Sequence, residues 1–249
     1  MYEEFARSEA FFGREAMQKL YSSKIVLFGV GGVGGWCAEA LARSGVGRVD
    51  IFDGDTVSLS NINRQVVALH STVGMPKAEV MAARMRDIFP QIDVRPFNIF
   101  IDEGNIGSID FSSYDVVLDA IDTVTSKVII IERSVRAGVP VISCMGTGNK
   151  LDISAFRAAD ISKTRVCPLA REVRTALKKR GIESGIQVVA SREKPFSREK
   201  ISETERITTK NGEQTEFVKI IPASTPFVAS AAGIFMASYI IGKLGVENG

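Results

Sequence analysis

A glycine-rich loop near the start of the chain has the spacing that lets a peptide backbone approach phosphate groups. It follows the apolar run Lys24–Phe28 and precedes an alanine-rich segment, which predicts a strand, a turn and a helix. Its glycines are Gly29, Gly31, Gly32 and Gly34. Free amide groups and a helix N-terminus favour anions there, and Asp53, about 20 residues further on, can accept hydrogen bonds from ribose hydroxyls. The pattern predicts a nucleotide site and, by itself, fits a dinucleotide as well as ATP.

Two cations that follow Asp53 change the expected nucleotide. Arg64 lies in a polar loop, and Lys77 follows Pro76 at the start of a predicted helix. A guanidinium binds phosphate oxygens as a fork, and an ammonium group binds them as a point charge. ATP has a terminal triphosphate to neutralise, whereas a dinucleotide has none. The pair therefore favours ATP, although either residue taken alone fits a surface charge better than a ligand.

Two aspartates lie at the end of a strand that is predicted at 116–120. Ligands of open α/β sheets bind outside the carboxyl ends of the strands, which is where Asp119 and Asp122 are expected. Mg²⁺ needs one or two protein carboxylates when phosphates supply its other ligands. Asp122 is the candidate magnesium ligand. Asp119 fits a helix cap or another structural hydrogen bond as well as it fits a functional role.

Helices and strands alternate along roughly the first 150 residues. The predicted strands lie at 24–28, 48–53, near 94, 116–120 and 139–143, and the predicted helices at 11–21, 36–43, 76–89 and 126–137. Apolar strands alternating with helices predict an α/β, Rossmann-like, doubly wound and mostly parallel sheet. The half that follows is variable, basic and irregular, with a helix at 169–179 and a polar stretch through Asn211 and Gly212.

We expect one domain, 1–249. Its nucleotide-binding part covers about 1–150, a variable substrate-facing part covers about 151–220, and an apolar helix covers about 224–244. The run 227–241 has about 15 residues, fewer than the roughly 20 that span a bilayer. It therefore predicts a core or dimer-interface helix, without stable membrane association.

Charge and cysteine content narrow the class of protein. The net charge is only +2, but 163–210 contains thirteen Lys and Arg against six Glu. Such a basic block suits an anionic partner or a solvated face. The three cysteines, Cys37, Cys144 and Cys167, form no CxxC pair, so neither a zinc knuckle nor a disulfide framework is indicated. With a polar, acidic N-terminus that is unlike a signal peptide, these features favour the cytoplasm.

In order and spacing, these motifs resemble the ubiquitin-activating-enzyme-like (ThiF/MoeB-type) adenylating family over roughly residues 5–146. The motifs that carry the resemblance are Gly29–Gly34, Asp53 with Asp55, Asn61-Ile62-Asn63-Arg64-Gln65, Pro76-Lys77 and Asp119–Asp122. The resemblance implies that Asp53 binds the ribose of ATP. It also implies that Arg64 and Lys77 bind the triphosphate and that Asp122 binds Mg²⁺. The other polar members of the motifs are expected to line the ATP site: Asp55, Asn61, Asn63 and Gln65.

Arg7 matches a family arginine that reaches the ATP of the neighbouring subunit. The resemblance therefore implies a homodimer with shared sites, in which Arg7, Arg64, Lys77 and Asp122 act in catalysis. Cys167 has two interpretations: a nucleophile that forms a thioester, or a small, partly buried structural residue.

Within the family, the chain is similar to the branch that dehydrates threonylcarbamoyladenosine in tRNA. Bacterial activators of sulfur-carrier proteins usually hold zinc with two CxxC pairs, which this chain lacks, and segments 68–72 and 160–170 resemble the tRNA branch. The resemblance implies that ATP adenylates the threonyl carboxylate and that ring closure by the carbamoyl group expels AMP. The basic block would then suit tRNA as the partner.

Three other functions stay open at this point. The first is adenylation of the C-terminal glycine of a ubiquitin-like or sulfur-carrier protein. The second is an NAD-dependent oxidoreductase, which leaves Arg64 and Lys77 without a role. The third is a nucleotide-regulated interaction module. A cysteine desulfurase or sulfur-acceptor partner, and a monovalent cation (Na⁺ or K⁺) that orders the loops, are also open.

Overall fold

The structure, a computed structural model, describes residues 2–199, 201–208 and 214–246. Within them, seven strands form the main sheet: β1 (Lys24–Phe28), β2 (Arg48–Phe52), β3 (Asp93–Phe97), β4 (Val116–Asp119), β5 (Val141–Cys144), β6 (Phe156–Asp160) and β7 (Gln187–Ser191). A second, two-stranded antiparallel sheet contains β8 (Ile201–Thr208) and β9 (Gln214–Ile221). The α-helices are α1 (Ala6–Phe12), α2 (Arg14–Ser22), α3 (Gly34–Arg43), α4 (Lys77–Ile88), α5 (Val124–Arg136), α6 (Pro168–Lys178) and α7 (Pro226–Ile241).

The main sheet has the strand order β3-β2-β1-β4-β5-β7-β6. All its neighbouring pairs are parallel except β6, which runs antiparallel to β7. From β1 the chain winds outward to β3 and then returns to place β4 on the other side of β1. The order therefore reverses between β1 and β4, where such sheets leave a crevice outside their carboxyl ends. The predicted Rossmann-like, mostly parallel sheet is confirmed.

Most of the predicted helices and strands are present, but two predictions are wrong. The helix expected at 11–21 is divided, because Gly13 has φ +86° and separates α1 from α2. The region after 151 is more regular than expected, since β6 and β7 extend the main sheet and β8 pairs with β9. Asn211 and Gly212 lie outside the described residues.

The core lies on both faces of the sheet. Alternate residues of a strand point to opposite faces, so Ile25 and Leu27 pack under α3, α4 and α7, whereas Val26 and Phe28 pack under α5 and α6. Because helices cover both faces, the strand is apolar without interruption, as the sequence predicted.

The helix α7 returns to the core and packs on α3. Gly233 marks the closest point, because a Cβ built there would lie only 2.3 Å from the carbonyl oxygen of Val33. A π-helical turn, Gly242–Val246, follows α7. Among the described residues, Pro226–Gly245 is the one segment long and apolar enough to cross a membrane, so the estimate of about 15 residues was too short. Of its most apolar stretch, 44% is buried inside the molecule, and core helices of other proteins have the same length and composition.

We expect Gly233→Val to lower the free energy of unfolding by about 1–3 kcal/mol, because the side chain must displace the backbone of α3. Gly242→Ala is the matched control: Gly242 has helical dihedral angles and no described heavy atom within 4 Å of a built Cβ, so alanine should be neutral or stabilising. Urea unfolding followed by circular dichroism measures both variants. Wild-type stability of Gly233→Val would contradict the packing described here.

Candidate nucleotide-binding site

The glycine loop connects the end of β1 to the start of α3 with very little space for side chains. Gly29 has φ +84°, and a Cβ there would lie 3.0 Å from the carbonyl oxygen of Ala120 at the end of β4. A Cβ at Gly34 would lie 1.8 Å from the carbonyl oxygen of Gly29. Both positions therefore require glycine, and the loop forms the floor of the crevice between β1 and β4.

Asp53, directly after β2, holds this loop in place. Its carboxylate accepts hydrogen bonds from the amide of Val30 (2.7 Å) and from the amide of Asp55 (2.9 Å). Burial raises the pKa of the Asp53 carboxyl above its usual value, although both amides act in the opposite direction. An ionised carboxylate has about four acceptor positions, so Asp53 keeps capacity for ribose hydroxyls.

Arg64 lies beside the glycine loop, and its own loop holds it there. Its guanidinium donates to the carbonyl oxygen of Ser60 (2.9 Å) and to Oδ1 of Asn63 (3.0 Å). Its Cγ lies 3.6 Å from the Cβ position of Gly32. Asn61 has a structural contact, because its Oδ1 accepts from the amide of Ser58 (3.1 Å). The aliphatic part of Arg64 thus lies beside the glycine loop, and hydrogen bonds within its own loop hold the guanidinium.

Lys77, the first residue of α4, forms an ion pair with Asp55. The distance from Nζ to Oδ2 is 2.8 Å, and the lysine is 5% exposed, whereas the Asp55 side chain is 52% exposed. The amide of Lys77 also donates to the carbonyl oxygen of Asp55. A buried ammonium group that faces a half-exposed carboxylate can be shared with a phosphate group. Asp55 therefore fixes the position of the Lys77 ammonium group.

Asp119 belongs to a buried ion pair that the sequence prediction missed. Both Asp119 and Lys127 have no exposed surface, and Nζ of Lys127 lies 2.8 Å from Oδ2 of Asp119. The hydroxyl of Ser143 donates to the same oxygen (2.5 Å), and the amide of Ile121 donates to Oδ1 (3.1 Å). Asp119 therefore has a structural role. The sequence did contain a signal for a buried lysine: Lys127 lies four residues before Ile131, which places both on the same apolar face of α5.

Asp122 follows the turn that this ion pair orders. It is exposed, directly before Thr123, the N-cap of α5, whose hydroxyl lies 3.5 Å from its Oδ1. In the described part of the chain, no three His, Cys, Asp or Glu side chains are grouped to hold a metal ion. A divalent cation at Asp122 would therefore take its other ligands from phosphates and water, as Mg²⁺ commonly does.

Arg7 is not part of this site within one subunit. It is exposed on α1, two residues after Phe5, whose ring packs on Tyr21 and Phe89. The carbonyl oxygen of Leu20 accepts from Gly47, just before β2 begins. The N-terminal helices thus lie at the amino ends of the strands, opposite the nucleotide crevice.

All three cysteines of the chain are buried. Burial raises the pKa of the Cys37 thiol, and it raises that of Cys144 to about 12. Cys167 is 3% exposed, and its Sγ lies 3.5 Å from the Cβ position of Gly146. Inaccessible thiols are poor nucleophiles, so the structural interpretation of Cys167 fits and the thioester interpretation does not.

The glycine loop, an acidic residue at the end of β2, and two cations meet at the reversal point of a doubly wound sheet. This arrangement defines a nucleotide-binding α/β protein that can neutralise a phosphate chain. The chain belongs to the ThiF family, whose model matches residues 5–246.

Two kinds of comparison extend the family assignment. The chain is 41% identical to the tRNA threonylcarbamoyladenosine dehydratase of Bacillus subtilis (strain 168), over 97% of this chain and 94% of that protein. Crystal structures of E. coli tRNA N6-threonylcarbamoyladenosine dehydratase are similar as well, with 30% identity over 97% of this chain. The complex with AMP has a TM-score of 0.83 and is covered to 94%, and the complex with ATP has a TM-score of 0.82 and is covered to 93%.

We expect Lys127→Met to destabilise the protein by about 3–5 kcal/mol, because it leaves the Asp119 carboxylate buried without its cation. Replacing both residues, as Lys127→Met with Asp119→Leu, should recover part of that loss. Lys179→Met, at an exposed position on another helix end, should change stability by less than about 0.5 kcal/mol. Urea unfolding measures all three. A loss in Lys127→Met no larger than in Lys179→Met would contradict the role of the pair.

Proposed function

We propose that this protein uses ATP to adenylate the carboxylate of threonylcarbamoyladenosine in tRNA and then closes that group into its cyclic, dehydrated form. The observation that carries the proposal is the crevice between β1 and β4 with its glycine loop, in a chain of which 97% aligns with a tRNA threonylcarbamoyladenosine dehydratase. The relatives favour this substrate over the C-terminal glycine of a carrier protein, the alternative left open by the sequence.

Each group of the crevice has a task in this proposal. The glycine loop, Gly29 to Gly34, binds phosphate oxygens through its amides, and Asp53 binds the ribose. Arg64 and Lys77 neutralise the β- and γ-phosphates, with Lys77 positioned by Asp55. The remaining polar residues, Asn61, Asn63 and Gln65, complete the lining. Mg²⁺ would be held by Asp122 and the phosphates, and Na⁺ or K⁺ is a further candidate ion for the loops.

The reaction proceeds in two displacements. A carboxylate oxygen of the threonyl group attacks the α-phosphorus of ATP, and pyrophosphate leaves, which yields an acyl adenylate. The carbamoyl group then attacks the acyl carbon, and AMP leaves with the former carboxylate oxygen. The nucleoside loses one water in total. Cations that face the β- and γ-phosphates stabilise the charge that accumulates on the leaving pyrophosphate.

The proposed partner is tRNA, in the cytoplasm, bound by a single domain without stable membrane association. Of the basic block, Arg180 is already paired with Glu132 and Glu103, whereas Lys178 pairs with Glu183 at the surface and Lys179 is exposed. Exposed cations suit the phosphate backbone of a nucleic acid. If a cysteine desulfurase system is a partner, sulfur is not relayed through this chain, since all its cysteines are buried.

We expect the purified protein, given ATP, Mg²⁺ and tRNA carrying threonylcarbamoyladenosine, to release AMP and to produce a nucleoside lighter by one water. Arg64→Ala and Lys77→Ala should each lower the rate of AMP formation by about 100-fold or more, because each removes a charge that stabilises the leaving group. Lys24→Ala is the control, an exposed lysine at the amino end of β1. Mass spectrometry of the digested tRNA and AMP chromatography give the readouts.

Two results would contradict the proposal. Full turnover in both variants would show that Arg64 and Lys77 do not bind the triphosphate of ATP. An unchanged nucleoside mass, with pyrophosphate exchange only when a protein ending in Gly-Gly is added, would transfer the function to carrier-protein activation.

If Arg7 acts in the site of the partner subunit of a homodimer, two inactive variants should regain activity when they are mixed. Arg7→Ala and Lys77→Ala should each be inactive alone, while a mixture that exchanges subunits should recover about a quarter of the wild-type activity, because half of the dimers hold one intact site. Size-exclusion chromatography verifies the exchange. If exchanged mixtures stay inactive, Arg7 does not act in the partner's site.

A further inference from the structure

The amino end of α7 lies directly against the glycine loop. Thr225, Ala229 and Gly233 are spaced by four residues, so they follow one another along a single face of the helix. Gly233 faces Val33, and the Cβ of Ala229 lies 3.3 Å from the Cβ position of Gly32. Thr225 lies one turn earlier along the same face, at the N-cap of the helix.

This helix end carries amide groups without a side-chain cap. Thr225 is the N-cap of the 16-residue helix, yet its side chain makes no capping hydrogen bond, and Pro226 at the first position has no amide hydrogen. The amides of the first helical turn have no acceptor within the helix. The hydroxyl of Thr225 is buried and has no hydrogen-bond partner among the described residues.

Gln65 supplies a second unpaired polar group beside the glycine loop. The residue is 8% exposed, and its Nε2 lies 3.6 Å from the Cβ position of Gly31. Its Oε1 is buried and lacks a partner within the described part of the chain. The two ends of an amide can be exchanged by rotation, so Gln65 can present either a donor or an acceptor to the crevice.

The loop that carries Arg64 is joined to the same helix end. Nδ2 of Asn63 donates to the carbonyl oxygen of Ser224 (3.0 Å), the residue before Thr225. The aliphatic part of Arg64 lies next to Gly32, as does Ala229. A cation, uncapped amides, a hydroxyl and an amide group therefore lie around the glycine loop, and all of them suit negatively charged oxygen atoms.

We propose that the amino end of α7, together with the Thr225 hydroxyl and the Gln65 side chain, binds the phosphate chain of ATP opposite the glycine loop. Thr225 donates a hydrogen bond to a phosphate oxygen, and the dipole of α7 adds to that of α3. The nucleotide is then held between two helix N-termini. This inference rests on the proposed function, in that it presumes ATP in the crevice.

Thr225→Val tests the proposal, because valine keeps the shape of threonine and removes only the hydroxyl. We expect its dissociation constant for ATP to rise about tenfold, since a hydrogen bond to a charged group is lost. The melting temperature without ligand should stay the same or rise, because an unpaired buried hydroxyl is replaced by a methyl group. Thr225→Ser should restore ATP affinity. Isothermal titration calorimetry and differential scanning calorimetry measure these quantities.

Two controls separate phosphate binding from a structural effect. Ser230→Ala removes a hydroxyl on the same helix that bonds to the carbonyl oxygen of Phe227 at the surface, and it should leave ATP affinity unchanged. Adenosine, which has no phosphate, should bind Thr225→Val and wild type equally.

ATP affinity of Thr225→Val within twofold of wild type, an equal loss for adenosine, or a lowered melting temperature would overturn this site alone. Wild-type protein that binds neither ATP nor pyrophosphate would contradict the proposed function as well. Loss of ATP affinity with full adenosine affinity and an unimpaired melting temperature supports the site.

Discussion

Close backbone contacts join three segments at the glycine loop, where side chains are absent. Gly34 starts α3 against the carbonyl oxygen of Gly29, and Gly233 of α7 rests on that of Val33 in the same loop. No other residue type fits at these contacts, since the Cβ positions lie 1.8 and 2.3 Å from oxygen atoms. Because these positions lack side chains, the amides of the glycine loop and the amino ends of α3 and α7 come together at the crevice between β1 and β4. The side chains proposed to bind ATP are arranged around that contact.

Two lysine–aspartate pairs show how burial separates a structural role from a functional one. Asp119 and Lys127 are wholly buried, and Ser143 donates to the same carboxylate, so this pair is fixed and orders the turn before Asp122. Asp55 is half exposed, so a phosphate can approach this pair from the carboxylate, although the Lys77 side chain itself is only 7% exposed. Both pairs measure 2.8 Å between nitrogen and oxygen. Solvent access, rather than distance, distinguishes them.

Much of the nucleotide half could be predicted from sequence, because its signals are local. Apolar runs mark β1 and β4, and glycine spacing marks the loop between β1 and α3. Contacts between distant parts of the chain left no comparable signal: the place of Thr225 beside the glycine loop depends on how α7 packs, and β6 and β7 have short, mixed sequences. Lys127 lay on an apolar helix face, but its partner only becomes evident from the sheet order.

The central claim is that a substrate carboxylate attacks the α-phosphorus of ATP in the β1–β4 crevice. Transfer of oxygen tests it most directly. The threonyl carboxylate of the tRNA nucleoside is labelled with ¹⁸O, the reaction is run in unlabelled water, and the released AMP is analysed by mass spectrometry. Adenylation of the carboxylate leaves one ¹⁸O atom in the phosphate of AMP and none in pyrophosphate. AMP without label, formed at the same rate as the cyclic nucleoside, would contradict carboxylate adenylation.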